Sequence, residues 1–197
     1  MATTKMLLWV TGILAAGCVS LQAEEITTDN GLDRGDWGDL DSCPMGTYVF
    51  AFELKYAPIG ALDDEAATGV RMYCRSDSTT LDGTLTSEEG KYGYFRDMKS
   101  CAVGSYFKGF RLNVVEEQGN FRDDMGVDNV QVICEDDTIL DGMNDASEKT
   151  ADYGDWGTWA YCSAGQRVCG LQTRIEPEQV TGDDAGMVDM KLDCCAV

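Results

Sequence analysis

The sequence predicts an all-β protein in which three copies of one unit share a single hydrophobic core. The first observation is an internal repeat of about 50–60 residues. The second is the presence of runs in which apolar and polar residues alternate, as they do in half-buried strands. The third is that no long window has the 3.6-residue period of a helix, while glycine is frequent, with 22 residues. A single unit is too small to close a core alone, so the three units must share one.

Three sequence elements define the repeat and keep the same order in each copy. A Gly-x-aromatic-Gly element comes first, a Cys-x-x-Gly element follows, and an Asp-Asp pair then precedes a further cysteine. The elements begin at Gly35, Gly90 and Gly154, at Cys43, Cys101 and Cys162, and at Asp63, Asp123 and Asp183. We place the repeats at residues 35–83, 90–142 and 154–197, within one domain that covers residues 35–197.

The N-terminal residues 1–23 have the features of a secretory signal peptide. Lys5 supplies a positive charge, the segment that follows is mostly apolar, and Ala23 is a small residue at the expected cleavage site. The apolar segment is too short and too weakly flanked for a membrane anchor, so we predict secretion without membrane insertion. Residues 24–34 are polar and unpatterned and are predicted to be a flexible leader.

In the first repeat, the segment from Tyr48 to Tyr56 is rich in aromatic and β-branched residues and is predicted to be a strand. Glu53 and Lys55 are expected on one face of this strand. The residues expected on the other face are Tyr48, Phe50, Phe52 and Leu54. Residues 70–74 alternate in the same way and predict a second strand, and the Asp82-Gly83 pair that follows predicts a hairpin turn.

The second and third repeats follow the same plan. Phe110 and Leu112 match Phe52 and Leu54 of the first repeat, and residues 130–134 form the second predicted strand. Residues 168–175 and 187–194 give the two predicted strands of the third repeat.

The cysteines predict four disulfide bonds. Removal of residues 1–23 leaves eight of the nine cysteines, an even number in an oxidising compartment. The simplest symmetric scheme joins the first and last cysteine of each repeat and pairs the two that remain. The pairs are Cys43–Cys74, Cys101–Cys134, Cys162–Cys194 and Cys169–Cys195, and exchange of the adjacent Cys194 and Cys195 is the alternative. A zinc site is disfavoured because the chain has neither a Cys-x-x-Cys pair nor a histidine.

The charge of the chain excludes several classes of function. Acidic residues outnumber basic ones by 35 to 15, which gives a net charge of −20. Because like charges repel, the charge argues against nucleic acid and anionic membrane surfaces as partners, whereas it permits cationic partners such as basic proteins or metal ions. Without histidine no Ser–His or Cys–His pair can form, and no phosphate-binding Gly-rich loop is present, so we expect no cofactor.

The paired acids are candidates for catalysis on a glycosidic bond, which uses two carboxylates at a defined separation. The candidate residues are Asp64, Asp124 and Asp184. Adjacent residues of a strand point to opposite faces, and catalysis seldom needs three equivalent copies, so we favour a turn-capping role for these acids. The acids from Asp137 to Glu148 partly match the spacing of a calcium loop, but Ile139 occupies a ligand place, so no metal site is predicted.

Exposed aromatic residues are candidates for carbohydrate binding, because sugar rings stack on them. Asp36 and Asp155 stand beside two of these rings and offer hydroxyl acceptors. The candidate residues are Trp37, Trp156, Trp159 and Tyr161. The alternative is that the rings belong to the core, which is the commoner place for an aromatic residue. We expect Trp159 and Tyr161 to be the more exposed pair.

This combination of threefold elements resembles the vitelline membrane outer layer protein family, over residues 35–197. The resemblance implies a β-prism, in which three antiparallel, Greek-key-like sheets pack around a pseudo-threefold axis. Two positions depart from the symmetry: Tyr92 is aligned with Trp37 and Trp156, and Arg167 stands where the other copies have Tyr48 and Tyr106.

The resemblance implies a secreted structural component of an extracellular coat or matrix, of the kind found in the outer layer of the egg vitelline membrane. The expected partners are egg-coat or matrix glycoproteins, basic proteins or glycans. Two alternatives are a lectin-like module that binds N-acetylated sugar oligomers, and a glycan hydrolase or transferase that uses the paired Asp residues. A role without catalysis is favoured.

Overall fold

The computed structural model describes residues 23–57, 67–76, 79–115, 126–143, 154–177 and 186–197. Within these ranges the backbone forms fifteen strands, and no helix in them is long and apolar enough to cross a membrane. The strands are β1 (Glu24–Thr27), β2 (Asp36–Trp37), β3 (Asp41–Ser42), β4 (Tyr48–Tyr56), β5 (Ala67–Arg75), β6 (Gly83–Thr86), β7 (Tyr94–Phe95), β8 (Lys99–Ser100), β9 (Phe107–Val115), β10 (Gly126–Cys134), β11 (Ile139–Asp141), β12 (Asp155–Trp156), β13 (Ala160–Tyr161), β14 (Gln166–Ile175) and β15 (Met187–Ala196).

These strands form three antiparallel sheets of five strands each, so the predicted all-β prism is confirmed. The first sheet has the order β6-β5-β4-β7, with β8 also on β4. The second has the order β11-β10-β9-β12, with β13 also on β9, and the third has β1-β15-β14-β2, with β3 also on β14. In the first two sheets the strand that follows the hairpins returns beside the first strand, which is the Greek-key order.

Each sheet is completed by two short strands that belong to the next repeat of the sequence. Strands β7 and β8 of the second repeat pair with β4, and β12 and β13 of the third repeat pair with β9. Strands β2 and β3 of the first repeat pair with β14, so the two ends of the domain meet in the third sheet. The sheets are therefore offset from the repeats drawn at residues 35–83, 90–142 and 154–197.

The segment expected to be a flexible leader instead begins with an edge strand. Residues Glu24–Thr27 pair with β15, and Ile26 is only 7% exposed within the core. One apolar residue among polar ones gives no recognisable strand pattern, and the pairing exists only because β15 offers a free edge. The predicted signal peptide lies almost wholly outside the described residues and stays a prediction.

The core lies between the three sheets and is built from alternate residues of the six long strands. Its largest fully buried side chains include Phe52 of the first sheet, Phe107 of the second and Met190 of the third. The rings of Phe52 and Phe107 meet edge to face at 5.9 Å between their centroids, across the boundary between two sheets. The three repeats thus share one core.

A β-bulge changes the faces of β4. The register with β5 shifts between Val49 and Ala51, which places Val49 in the core and leaves Phe50 half-buried on the opposite face. The prediction that Tyr48 and Phe50 lie on the same face as Phe52 is therefore wrong, because an extra residue interrupts the period of two. Arg75 covers the displaced Phe50 ring at 4.2 Å from its centroid.

One end of the prism, formed by the Cys-x-x-Gly turns at residues 43–46, 101–104 and 162–165, is here called the base. At its centre three side chains each donate a hydrogen bond to the neighbouring sheet. The pairs are Tyr48 with the Ala196 carbonyl (2.7 Å), Tyr106 with the Ser76 carbonyl, and Arg167 with the Glu135 carboxylate (2.8 Å). Arg167 also stacks on Tyr106, at 4.1 Å from the ring centroid, so the departure from tyrosine keeps the same tie between sheets.

Disulfide bonds reinforce the base. They join Cys43 to Cys74, Cys101 to Cys134, Cys162 to Cys194 and Cys169 to Cys195, which are the pairs of the symmetric scheme. Cys43 is hydrogen-bonded to β14 of the third sheet, while Cys74 lies in β5 of the first. Three of the bonds, Cys43–Cys74, Cys101–Cys134 and Cys162–Cys194, thus lie within one repeat of the sequence yet join neighbouring sheets of the fold. The fourth, Cys169–Cys195, joins β14 and β15 of the third sheet.

Substitution of Gly35, which directly precedes β2, tests how closely this donated strand packs against the third sheet. Gly35 has φ +77°, and a Cβ there would lie 2.5 Å from the Ile175 carbonyl oxygen. We expect Gly35→Ala to lower the free energy of unfolding by more than about 2 kcal/mol in urea titrations. Gly46→Ala is the control, because Gly46 has φ +78° with nothing within 4 Å, and it should cost only about 1 kcal/mol. Equal losses would contradict the role of this close contact.

The pairing of β1 with β15 predicts a dependence of stability on pH. Glu25 lies opposite Asp193, and burial followed by the charge of Glu25 raises the pKa of Asp193 above its ordinary value of 3.8. The folded state then binds a proton more readily than the unfolded state, so this stability is present below the ordinary pKa and lost as pH rises through the raised one. We expect Asp193→Asn to raise the melting temperature by about 1–3 °C at neutral pH and to have no effect near pH 3. A stabilisation that persists at acid pH would contradict this explanation.

Candidate functional site

In each repeat the first of the two donated strands carries an aromatic ring, which lies under a cation on the outer face of the sheet that receives the strand. The pairs, with the distance from the cation to the ring centroid, are Trp37 with Lys191 (4.5 Å), Phe95 with Arg71 (3.8 Å) and Trp156 with Arg111 (4.6 Å). Such contacts contribute about 0.5–1 kcal/mol at exposed sites. The shared role of these rings is to fasten the donated strands.

The ring of the second repeat is Phe95, and the alignment of Tyr92 with the tryptophans is wrong. Phe95 pairs with Lys55 of β4 as Trp37 pairs with Arg174 of β14, while Tyr92 is 46% exposed. The sequence contains a signal for this register. The cysteine of the next Cys-x-x-Gly element lies eight residues after Gly93 but eleven residues after Gly90. The same eight residues separate Gly35 from Cys43 and Gly154 from Cys162.

The outer face of the second sheet carries a cluster that the other two sheets lack. The guanidinium of Arg111 lies 4.6 Å from the ring centroid of Trp156 and 4.8 Å from that of Trp159. Trp159 stacks on Tyr161, with centroids 6.1 Å apart and planes inclined by 27°. Tyr161 is 48% exposed, and both indoles are half-buried. We call Arg111, Trp156, Trp159 and Tyr161 the aromatic face.

Hydrogen bonds fix the cation at the centre of the aromatic face. Arg111 donates from Nε and Nη2 to the side-chain oxygen of Gln131, at 2.9 and 2.7 Å. Gln131 in turn donates to a carboxylate oxygen of Asp141 at 2.7 Å. This chain crosses β9, β10 and β11, so the guanidinium is held in place before any ligand arrives.

A glycine lets the strand that carries Tyr161 approach the sheet. Tyr161 pairs with Gly109 of β9, where a Cβ would lie 2.4 Å from the Ala160 carbonyl oxygen and 2.9 Å from the Tyr161 ring. Any larger residue at position 109 would push the ring away from the sheet. The position of Tyr161 therefore depends on a residue that carries no side chain.

The equivalent positions of the other sheets show that the aromatic face is particular to the second sheet. The constant spacing places Leu40 and Met98 at the position of Trp159, and Ser42 and Ser100 at the position of Tyr161. A residue that serves only the fold would be expected in all three copies. The extra rings at Trp159 and Tyr161 are thus available for a ligand.

Two clefts lie beside donated strands, one next to β2 and the other next to β12. One, of about 310 Å³, is lined by residues that include Asp36, Trp37, Glu88, Lys91, Tyr92 and Glu176. The other, of about 390 Å³, is lined by residues that include Asp29, Asn30, Val114, Asp155, Trp156 and Thr158. In the second cleft the Thr158 amide donates to Asp29 at 2.8 Å, and this hydrogen bond lowers the pKa of the Asp29 carboxyl.

The structure brings three of the four predicted carbohydrate residues together and leaves one apart. Trp156, Trp159 and Tyr161 form one surface on the second sheet, whereas Trp37 lies on the third sheet. Sequence reasoning missed Arg111, since an arginine within a predicted strand carries no signal that rings of the next repeat will enclose it.

Asp64, Asp124 and Asp184 lie outside the described residues, so their role stays a prediction. Within the part of the chain that the structure describes, no group of three or more acidic, cysteine or histidine side chains is placed to hold a metal ion. Asp137 of the calcium-like spacing forms an ion pair with Lys108.

Sequence comparisons show which known proteins this chain resembles. The model of the family "Vitelline membrane outer layer protein I (VOMI)" matches residues 24–197. The mouse vitelline membrane outer layer protein 1 homolog is 31% identical over an alignment of 201 residues, which covers 96% of this chain and 96% of that protein. The human homolog is 32% identical over 174 residues, with coverage of 86% of this chain and 82% of that protein.

Solved structures with a similar fold include an agglutinin, a banana lectin and a complex with mannotriose. Calystegia sepium agglutinin covers 89% of this chain and 98% of its own, with a TM-score of 0.56 and 9% identity. A Malaysian banana lectin covers 89% and 100%, with a TM-score of 0.53 and 10% identity. The artocarpin–mannotriose complex gives 88% and 97%, with a TM-score of 0.54 and 9% identity. At such identities the likeness establishes the fold alone.

Removal of the central cation tests the organisation of the aromatic face. We expect Arg111→Met to lower the free energy of unfolding by about 1–2 kcal/mol, because two ring contacts and the bonds to Gln131 are lost. The near-ultraviolet circular dichroism of the tryptophans should weaken with it. Lys108→Met on the same strand is the control, since Lys108 pairs with an exposed carboxylate and should cost at most about 0.5 kcal/mol. An unchanged tryptophan signal in Arg111→Met would contradict the proposed contacts.

Proposed function

Because the chain belongs to the vitelline membrane outer layer protein I family, we propose that it is a structural component of an extracellular coat or matrix, of the kind that forms the outer layer of the egg vitelline membrane. The observation that carries this proposal is the family match, which extends over residues 24–197. It also supports an extracellular location. Four disulfide bonds support the same location, since they persist in oxidising compartments.

The construction of the prism suits a mechanical role. Every sheet is completed by strands of the next repeat, and disulfide bonds join neighbouring sheets at the base. Opening one sheet therefore exposes the core of all three, and the cross-links limit how far an opened chain can expand. A body of this kind resists local unfolding and proteolysis, which a durable coat requires.

The aromatic face supports a contact with matrix glycans. The apolar faces of sugar rings stack on exposed aromatic rings, and Trp159 and Tyr161 offer a stacked pair, with Tyr161 48% exposed. Arg111 and Gln131 place polar atoms beside the rings for sugar hydroxyl or amide groups. A lectin-like contact with N-acetylated sugar oligomers is accordingly the means by which we propose that the protein is held in its coat.

A second class of partner follows from charge. The chain carries 35 acidic and 15 basic residues, so basic proteins of the same matrix would be attracted at low salt. Such attraction weakens as the ionic strength rises, whereas stacking on the aromatic face does not. Salt therefore separates the two modes of retention.

Retention on insoluble egg-coat material tests the proposed function. We expect the mature protein to bind this material at high salt and to be released by the N-acetylglucosamine tetramer. Trp159→Ala should weaken retention by about 10-fold, because it removes one of two stacking rings. Leu40→Ala is the matched control, since Leu40 takes the same place on the third sheet, and its retention should be unchanged.

The same samples separate the alternative functions. Analysis of the tetramer after incubation should show chains of unchanged length, whereas shortened or lengthened chains would favour the hydrolase or transferase. Absence of retention at any salt concentration would contradict the structural role. Equal loss in Trp159→Ala and Leu40→Ala would contradict the aromatic face as the glycan contact.

A further inference from the structure

The cleft beside β12 continues the aromatic face. Trp156 lines this cleft, and its ring is one of the two indoles that contact Arg111. The other indole is that of Trp159, which stacks on Tyr161. The rings therefore form a row that begins at Tyr161, passes Trp159 and Arg111, and ends with Trp156 at the cleft.

The pairing with β9 gives the length of this row. Tyr161 lies opposite Gly109 and Asp155 lies opposite Val114, and these partners are five residues apart along β9. At about 3.4 Å per residue of an antiparallel strand, the row is about 17 Å long. It is longer than a disaccharide, so only a longer oligomer can cover both the rings and the cleft.

The cleft itself has the size and the lining of a small-ligand site. Its volume is about 390 Å³, and Leu32 and Val114 are among the apolar residues that line it. Asp29, Asp155 and Thr158 line it as well, and all three are exposed. Apolar walls with a few polar groups are typical of pockets for small ligands.

Hydrogen bonds hold the two walls of the cleft together. Asn30 donates from Nδ2 to the carbonyl oxygens of Leu112 and Asp155, both at 3.1 Å. The Thr158 amide donates to the Asp29 carboxylate at 2.8 Å. The segment that follows β1 is thus fixed on β9 and β12, and the cleft is formed before a ligand enters it.

The cleft beside β2 occupies the equivalent place on the third sheet but ends no such row. Asp36 lies opposite Ile175 of β14 as Asp155 lies opposite Val114 of β9. No second indole continues from this cleft, because Leu40 stands at the position of Trp159. The combination of a cleft with a row of rings is therefore found beside β12 and not beside β2.

We propose that a glycan chain lies along this row and places a further sugar unit in the cleft beside β12, where sugar hydroxyl groups donate to Asp155 and Asp29. The inference rests on the proposed function, since it takes the sugar stacked on Trp159 and Tyr161 as given. It adds the extent of the site and the class of ligand, an uncharged oligomer longer than a disaccharide. Acidic sugars are disfavoured, because two carboxylates and no cation are among the described residues that line the cleft.

The affinities for N-acetylglucosamine oligomers of two lengths test this proposal. We expect isothermal titration calorimetry of the mature protein to show a dissociation constant at least about 10-fold lower for the tetramer than for the dimer, because only the tetramer reaches the cleft. Asp155→Ala should raise the dissociation constant of the tetramer by about 10-fold and leave that of the dimer unchanged, since it removes a charged acceptor in the cleft.

Asp36→Ala is the matched control, because Asp36 is the exposed acid at the equivalent place beside β2. It should leave both dissociation constants unchanged. Asp29→Asn is a second variant of the cleft beside β12, and it keeps a side-chain oxygen for the Thr158 amide. It should weaken binding of the tetramer by about 3-fold with an unchanged melting temperature.

Three results would overturn the inference and leave the proposed function intact, provided that Trp159→Ala still weakens binding. They are equal affinities of the parent for the dimer and the tetramer, a tetramer affinity that neither cleft variant changes, and an equal loss in Asp36→Ala and Asp155→Ala. Absence of binding of either oligomer to the parent would instead contradict the glycan contact itself, and the inference with it.

Discussion

The structure depends on the donation of two short strands from each repeat to the sheet of the repeat before it. Strands β7 and β8, β12 and β13, and β2 and β3 each complete a sheet whose long strands come from another repeat. A cation on the receiving sheet then covers the aromatic ring of the first strand in each donated pair, as Arg71 covers Phe95. Because the donation runs in a circle, removal of one repeat leaves two sheets incomplete. This cyclic dependence explains why units of this size form one body around a single core.

At the base, beyond the donated strands, further contacts link the three sheets in the same cyclic order. Disulfide bonds that are local in sequence cross from sheet to sheet, because each Cys-x-x-Gly cysteine follows a donated strand. The central ties of Tyr48, Tyr106 and Arg167 run in the same direction. Arginine replaces tyrosine in the third copy without loss of the tie, since the geometry requires a long donor that reaches the next sheet and a flat group that stacks, and both side chains provide these.

The proposed glycan contact lies where the pseudo-symmetry is broken. Trp37, Phe95 and Trp156 occupy equivalent places and fasten strands, so their conserved geometry says little about ligands. Trp159 and Tyr161 stand at the positions that Leu40 and Ser42 occupy on the third sheet, and they form a stacked surface on the second sheet.

The sequence by itself determined the all-β class, the threefold repeat and the family, because the spacing of the Gly, Cys and Asp-Asp elements is a local property of the chain that is visible in the sequence alone. It also indicated Trp156, Trp159 and Tyr161, together with Trp37, as candidate residues for carbohydrate binding. Only the tertiary structure decided that Arg111 lies between two indoles and that Glu24–Thr27 is a strand. The bulge at Val49 and Ala51 also escaped prediction. The physical reason is common to these cases: each depends on a partner strand distant in sequence, whose register no local pattern specifies.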